Sequence, residues 1–275
     1  MDEIKKDALL SVRHLTVEYT SEGEVIHAVN DVSFELEKGK TIGLVGETGA
    51  GKTSIAKAIL RILPEPPARV KNGEIWFEGR ELLGLKEEEM RKIRGKNISM
   101  IFQDPMTALN PIMRIGEQIA EVIRLHEKCG KAQSVQKAKE MLEIVGIPGE
   151  RYYEYPHQFS GGMKQRVVIA MALACAPDLL LADEPTTALD VTIQAQVLDM
   201  INELKERLNT SMIMITHDLG VVAQVCDSVA GGQNGEALEN GTKKQSFDHP
   251  PYTDTQRLFR SVPKLNDQSQ ATLLS

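Results

Sequence analysis

The apolar run Thr41-Ile-Gly-Leu-Val45 leads directly into GETGAGKT over 46–53, and residues 54–63 then carry helical apolar spacing. A strand, a glycine-rich turn and a helix in immediate succession leave few folds open. The residue types say what the turn is for. Gly46, Gly49 and Gly51 let backbone N–H groups converge with no Cβ in the way. The first turn of the helix adds unpaired donors and partial positive charge. Lys52 can reach the same point, and the Thr53 hydroxyl can ligate a hard cation. Glu47, Thr48 and Ala50 complete the loop. The pattern GxxxxGK[ST] in this setting is a cradle for a triphosphate, although it specifies neither which nucleotide nor what its energy drives.

The rest of the chain supplies the sheet that such a cradle needs. Residues 9–19 and 25–36 alternate apolar and polar positions, which predicts antiparallel strands. Short strands are predicted at 74–77 and 98–102, and the prolines at 64, 66 and 67 stop the first helix. From 105 to about 159 the pattern turns helical, with helices expected at 116–127 and at 135–145, the latter capped by Ser134. After Ser160 a helix to 176, a strand at 179–182, a helix at 191–208, a strand at 212–215 and a helix at 219–226 restore the alternation. Short apolar strands separated by helices predict a mostly parallel sheet with helices on both faces. The expected fold is therefore α/β, a P-loop NTPase with an N-terminal antiparallel β subdomain. Residues 1–104 and 164–240 form the core, 105–163 a helical subdomain, and 241–275 a C-terminal extension.

The strand Leu179-Leu-Leu-Ala182 ends in Asp183 and Glu184. Ligands of an open parallel sheet lie at the carboxyl ends of its strands. Asp183 is thus placed beside a Mg²⁺ ion, and Glu184 is placed to orient and deprotonate an attacking water. Composition narrows the partners. With 32 basic against 39 acidic residues the formal charge is −7, which argues against a general nucleic-acid binder. Cys129, Cys175 and Cys226 form no CxxC pair, so no zinc or iron–sulfur site is expected. No signal peptide is read in the first twelve residues, MDEIKKDALLSV, and the apolar run over 167–176 falls short of the ~20 residues that span a bilayer. Work at a membrane would require docking onto other subunits.

Four further segments complete an ordered set. They are Gln103 after the strand at 98–102, SGGMKQR opening a helix at 160, ALD ending at Asp190, and His217 after the strand at 212–215. Together these resemble the ATP-binding cassette family over Leu10 to Asp227. The resemblance implies that Gln103 meets metal and γ-phosphate and faces the transport partner. It implies that Ser160, Gly161 and Gly162 form the signature, that Asp190 lies in the D-loop and that His217 contacts γ-phosphate. Tyr19 is similar to the aromatic residue that stacks on adenine. Ser160 would cap a helix whose free N–H groups bind anions, and a partner's signature would close the nucleotide's other side. Two glycines at a helix start cost about 1 kcal/mol each relative to alanine, a cost that function would explain.

The stretches FQDPMTALNP over 102–111, FSGGMKQR over 159–166 and ADEPTTALD over 182–190 resemble the oligopeptide, dipeptide and nickel importer ATPases. PPYT at 250–253 and SVP at 261–263 are similar to that group's tail, and Met163 is common in this branch. The resemblance implies ATP and Mg²⁺ as ligands, a second and distinct cassette as partner, two permease subunits, and indirectly an extracytoplasmic solute-binding protein. The chain would be peripheral on the cytoplasmic face of the membrane and drive uptake of peptides, or of nickel or another small solute. Relatives with a cysteine cluster near the C-terminus suggest an iron–sulfur site, but no cysteine follows Cys226 here. VAGGQNGEALE at 229–239 replaces the apolar run usual in the family, which should weaken an edge strand.

Other functions fit less well. Chromosome-maintenance cassettes need long heptads between cradle and signature, yet only about 110 residues separate Gly46 from Ser160. Translation-type relatives carry two cassettes in one chain. A non-hydrolysing regulator would leave Glu184 and His217 unexplained, and a kinase would lack its acceptor lid.

Overall fold

The apolar runs form two sheets. In the computed structural model the described residues are 8–21, 23–46, 49, 51–187, 189–231 and 239–242. The first sheet is antiparallel, in the order β2-β1-β4-β5, from β1 (Ala8–Ser21), β2 (Glu24–Glu37), β4 (Ala68–Phe77) and β5 (Arg80–Glu81). The second has the order β10-β9-β3-β8-β7-β6, built from β3 (Thr41–Val45), β6 (Ile98–Ile101), β7 (Leu179–Asp183), β8 (Ser211–Ile215), β9 (Ser228–Gly231) and β10 (Glu239–Thr242). All of its pairings are parallel except β9 with β10.

Strand alternation divides the interior in two. Leu180, Ala182, Met212 and Met214 point into a core with α4 (Ile115–His126), α5 (Lys131–Ile144), α6 (Gly161–Leu173), α7 (Val191–Leu208) and α8 (Leu219–Val225). Leu179, Leu181, Ile213 and Ile215 point the other way, into a core with α1 (Lys52–Ile59), α2 (Glu87–Ile93) and the antiparallel sheet. Each fully buried leucine or isoleucine contributes about 1.5–3 kcal/mol, so both faces of the parallel sheet are held firmly.

Several elements differ from expectation. Helix α5 begins at Lys131 behind Gly130, so Ser134 lies within its first turn rather than capping it. There Ser134 is buried, and its hydroxyl donates to Lys131 O at 2.8 Å and accepts from Arg124 Nη1 at 3.2 Å. Strand β4 begins at 68 because the second half of β1 pairs with it, Tyr19 opposite Ala68. Helix α1 ends at Ile59, before the prolines, and Arg61 is left-handed at φ 52°. Helix α2 was not expected, and α3 (Pro105–Ala108) opens the stretch expected to be helical from 105. Strand β9 is internal, between β10 and β3, so the edge passes to β10, while 232–238 lie outside the described residues. Strand β10 also runs past the boundary expected at 240, and α6 past the one at 163. Of the C-terminal extension expected from 241, residues 243–275, with the PPYT and SVP stretches, lie outside the described residues. Among the described residues no helix is long and apolar enough to cross a membrane.

Candidate active site

Strands β3, β8, β7 and β6 are neighbours and run parallel, so their carboxyl ends open on one edge of the sheet. The turn from Gly46 follows β3, His217 follows β8, Glu184 follows β7 and Gln103 follows β6. Gly51 is left-handed at φ 75° and stands before α1, where a Cβ would fall 1.9 Å from Ala28 O of β2. Conformation and space both demand glycine there. Glu47, Thr48 and Ala50 lie outside the described residues, as does Ala188.

Helix α1 carries Lys52 and Thr53 on its first turn. Lys52 is only 8% exposed, and its Nζ donates to Gly46 O at 2.8 Å. Burial pushes its ammonium below the ordinary lysine value, against the pull of Glu184 and Asp183. The Thr53 hydroxyl donates to Asp183 Oδ1 at 3.0 Å. Asp183 is buried at the end of β7, and that burial raises its carboxyl above the ordinary range despite the bond from Thr53.

Glu184 has the opposite fate. Its backbone is left-handed at φ 46°, and its N–H donates to Ile215 O at 2.9 Å, which anchors the turn to β8. Oε2 accepts from Gln103 Nε2 at 2.8 Å and from Thr187 Oγ1 at 3.0 Å, while Oε1 lies 3.1 Å from His217 Nδ1. Burial alone would raise this carboxyl, but the bonds from His217 and Thr187 and the charge of Lys52 hold it below the ordinary range. Two adjacent carboxylates are thereby driven apart in basicity, the arrangement that separates roles in catalytic pairs.

The remaining expected residues form separate groups. Tyr19 lies on β1 with its hydroxyl 3.1 Å from Ser54 Oγ, beside the start of α1. Ser160 caps α6, its Oγ accepting from Met163 N at 3.3 Å, and Asp190 caps α7 through Ile193 N at 3.0 Å. Neither side chain bonds to Lys52, Asp183 or Glu184 among the described contacts. The two signature glycines part company. A Cβ on Gly162 would lie 3.0 Å from Ile193 Cγ2, so packing explains that glycine. Among the described residues a Cβ on Gly161 would meet nothing within 4 Å, so their packing does not explain it.

Three contributors were not read from the sequence. Thr187 bonds Glu184, and Gln165 of α6 donates to Pro185 O at 2.6 Å, tying the signature helix to the loop after Glu184. Arg151 stacks 4.3 Å over the Phe159 ring and donates to Glu154, to Gln158 O and to Met163 Sδ, fixing the approach to Ser160. Only an arginine fork can do all of this at once.

The donor set suits a hard cation. Thr53 Oγ1 and Asp183 Oδ1 present oxygens together, 3.0 Å apart. That matches Mg²⁺, which takes few protein ligands and fills its shell with phosphate and water.

The ABC transporter family's sequence profile matches residues 29–187. This chain belongs to the ABC transporter family. The cassette is 50% identical over 272 residues to the oligopeptide transport ATP-binding protein OppD of Bacillus subtilis (strain 168), covering 98% of this chain and 76% of the relative. It is 51% identical over 262 residues to the dipeptide transport ATP-binding protein DppD of the same organism, covering 94% and 78%. OppD of Escherichia coli (strain K12) is 48% identical over 97% of this chain and 79% of its own length. Among solved structures, a dimeric post-hydrolysis state of the ATP-binding cassette MJ0796 bound to ADP and Pi superposes with a TM-score of 0.76 at 24% identity, covering 85% of this cassette and 98% of that chain. That likeness is one of fold: an ABC cassette with a parallel core sheet and an antiparallel β subdomain.

Proposed function

We propose that this cassette is the ATP-hydrolysing motor of an importer that takes up oligopeptides or dipeptides, the cargo classes for which the OppD and DppD relatives are named. The observation that carries the reading is the Glu184 carboxylate, held beside Lys52 and Asp183 by side chains from two other strand ends. Glu184 accepts the proton of a water as that water attacks the γ-phosphorus, and ADP leaves in line. Lys52 moves from Gly46 O to the β- and γ-phosphates. Gln103 and His217 turn from Glu184 toward the γ-phosphate, which frees the base when a triphosphate is present. The loop over 46–51 surrounds the phosphates with backbone N–H groups, and Tyr19 stacks on adenine. Thr53, Asp183 and Gln103 would hold Mg²⁺, which would supply positive charge against the charge that develops on the phosphates.

The other half of the nucleotide is closed by the signature of a second cassette, a distinct homologue, while Ser160, Gly161, Gly162 and Asp190 of this chain serve the partner's site. Binding energy then becomes a shift between open and closed pairs. Core, helical subdomain and C-terminal extension divide this work as catalytic body, signature arm and appendage. Two permease subunits dock next to Gln103, where Phe102, Met106 and Ile112 are 41%, 59% and 83% exposed, and an extracytoplasmic solute-binding protein delivers cargo. The cassette is peripheral on the cytoplasmic face. Exchange of Glu184 for Gln should lower Mg²⁺-ATP turnover at least ~10²-fold, the scale of a lost general base. Parental turnover in that variant would refute the assignment.

A further inference from the structure

Three side chains hold the Glu184 carboxylate, and they differ in what ATP does to them. Gln103 and His217 come from the ends of β6 and β8, and both are needed at the γ-phosphate in the cycle above. Thr187 lies in the same turn as Glu184, its backbone N–H donating to Glu184 O at 3.3 Å while its hydroxyl donates to Oε2 at 3.0 Å. A partner three residues away in one turn travels with the carboxylate. Its neighbour Thr186 is buried at 7% exposure, whereas Thr187 is exposed, so Thr187 is not there to fill the core.

The backbone adds a reason for such a tether. Glu184 has a left-handed φ of 46°, a conformation that a residue with a Cβ rarely adopts. The turn is pinned on both sides of Glu184, by its own N–H on Ile215 O and by Gln165 on Pro185 O. The backbone is therefore fixed, and the freedom left is in the side-chain torsions of Glu184. Fixing one carboxylate oxygen decides where the other one points.

We propose that Thr187 is a positioning residue for Glu184: when nucleotide recruits Gln103 and His217, the Thr187 hydroxyl keeps Oε2 and leaves Oε1, released by His217, facing the attacking water. The inference rests on the assignment of Glu184 as base. It makes the Gln103 and His217 bonds a resting latch and the Thr187 bond a permanent one.

Kinetics of the transporter purified with its permease test this with three variants. Thr187→Val removes the hydroxyl and keeps the shape, Thr187→Ser keeps the hydroxyl, and Glu184→Gln is the reference. Thr187→Val should lower kcat about tenfold with KM for ATP unchanged, the signature of a misplaced reacting group. Its affinity for a non-hydrolysable ATP analogue should stay within about twofold of the parent, because uniform binding is untouched. The lifetime of the ATP-bound associated state should lengthen by the factor lost in kcat. Thr187→Ser should restore all three. Parental kcat in Thr187→Val, a loss shared by Thr187→Ser, or weakened analogue binding would each overturn the proposal. If Glu184→Gln itself turns over like the parent, the base assignment has failed instead, and the two failures are told apart.

Discussion

Asp183 and Lys52 are buried charges that we assign to nucleotide binding rather than to folding. Burial moves both toward their neutral forms, Asp183 upward and Lys52 downward, so each charge is maintained against the folded protein's preference. Exchange of Asp183 for Asn keeps an oxygen for the Thr53 hydroxyl and removes the buried charge along with its repulsion of Glu184. The variant should melt about 2–4 °C higher for each kcal/mol relieved and should lose Mg²⁺-dependent turnover. A thermal melt at neutral pH decides it, since a lower midpoint would mean that the charge stabilises the fold. That these residues gather with Glu184, Gln103 and His217 is readable in the sequence, because each directly follows an apolar run or a glycine turn and the ends of parallel strands converge. Thr187 was not readable. Two threonines stand side by side, and only the turn decides that Thr186 is packed and Thr187 bonds the carboxylate. Arg151 was hidden for a similar reason, since its stacking on Phe159 needs the 3-10 turns at Gly149–Tyr153 and Pro156–Gln158 between them.

The helices between 105 and 163 are held together by a close fit that their periodicity does not announce. Ile115, Ile119, Ala120 and Ile123 form the buried stripe of α4, as expected of an amphipathic helix. Gly116 lies beside them, and a Cβ there would fall 1.9 Å from Cδ2 of the fully buried Tyr152. Among the described residues the Tyr152 hydroxyl has no hydrogen-bond partner, and its pKa is driven up, first by burial and then by Glu117 nearby. Neither partner of the fit can yield, because the ring is enclosed and the glycine belongs to helix backbone. Gly116→Ala should therefore destabilise by about 3 kcal/mol or more, the upper range for overpacking, although alanine is the better helix former. Denaturant unfolding would reveal it, and a stabilised variant would show that the ring moves freely. In the sequence Gly116 is only the first residue of the helix expected at 116–127. Its meaning depends on an aromatic residue 36 positions later, a distance over which spacing carries no information. The same limit explains Ser134, a good cap by type that became a buried link to Arg124 once Gly130 opened the helix earlier.

At the scale of the molecule, the nucleotide edge is supported from two sides and completed from neither. The parallel sheet is clamped between two cores, which fixes the ends of β3, β6, β7 and β8. Helix α6 belongs to one core and bonds the Glu184 loop through Gln165, which ties the helix that Ser160 caps to the end of β7. Yet the Ser160 hydroxyl bonds its own helix, and among the described residues no atom lies within 4 Å of a Cβ added at Gly161. A glycine that its own fold does not require, at the open N-terminus of a helix of thirteen residues, fits a surface shaped for a phosphate on another polypeptide. Exchange of Gly161 for Gln separates the possibilities. The variant should melt close to the parent, because an added Cβ there meets no atom of the described residues within 4 Å. It should bind an ATP analogue in the isolated chain with parental affinity, because its own cradle is untouched. Nucleotide-triggered association with the second cassette should be lost, and turnover should fall to background with it. Sedimentation with and without nucleotide measures the association directly. A lower melting midpoint would make Gly161 a structural residue, and a variant that associates and turns over normally would mean that one chain completes the site alone.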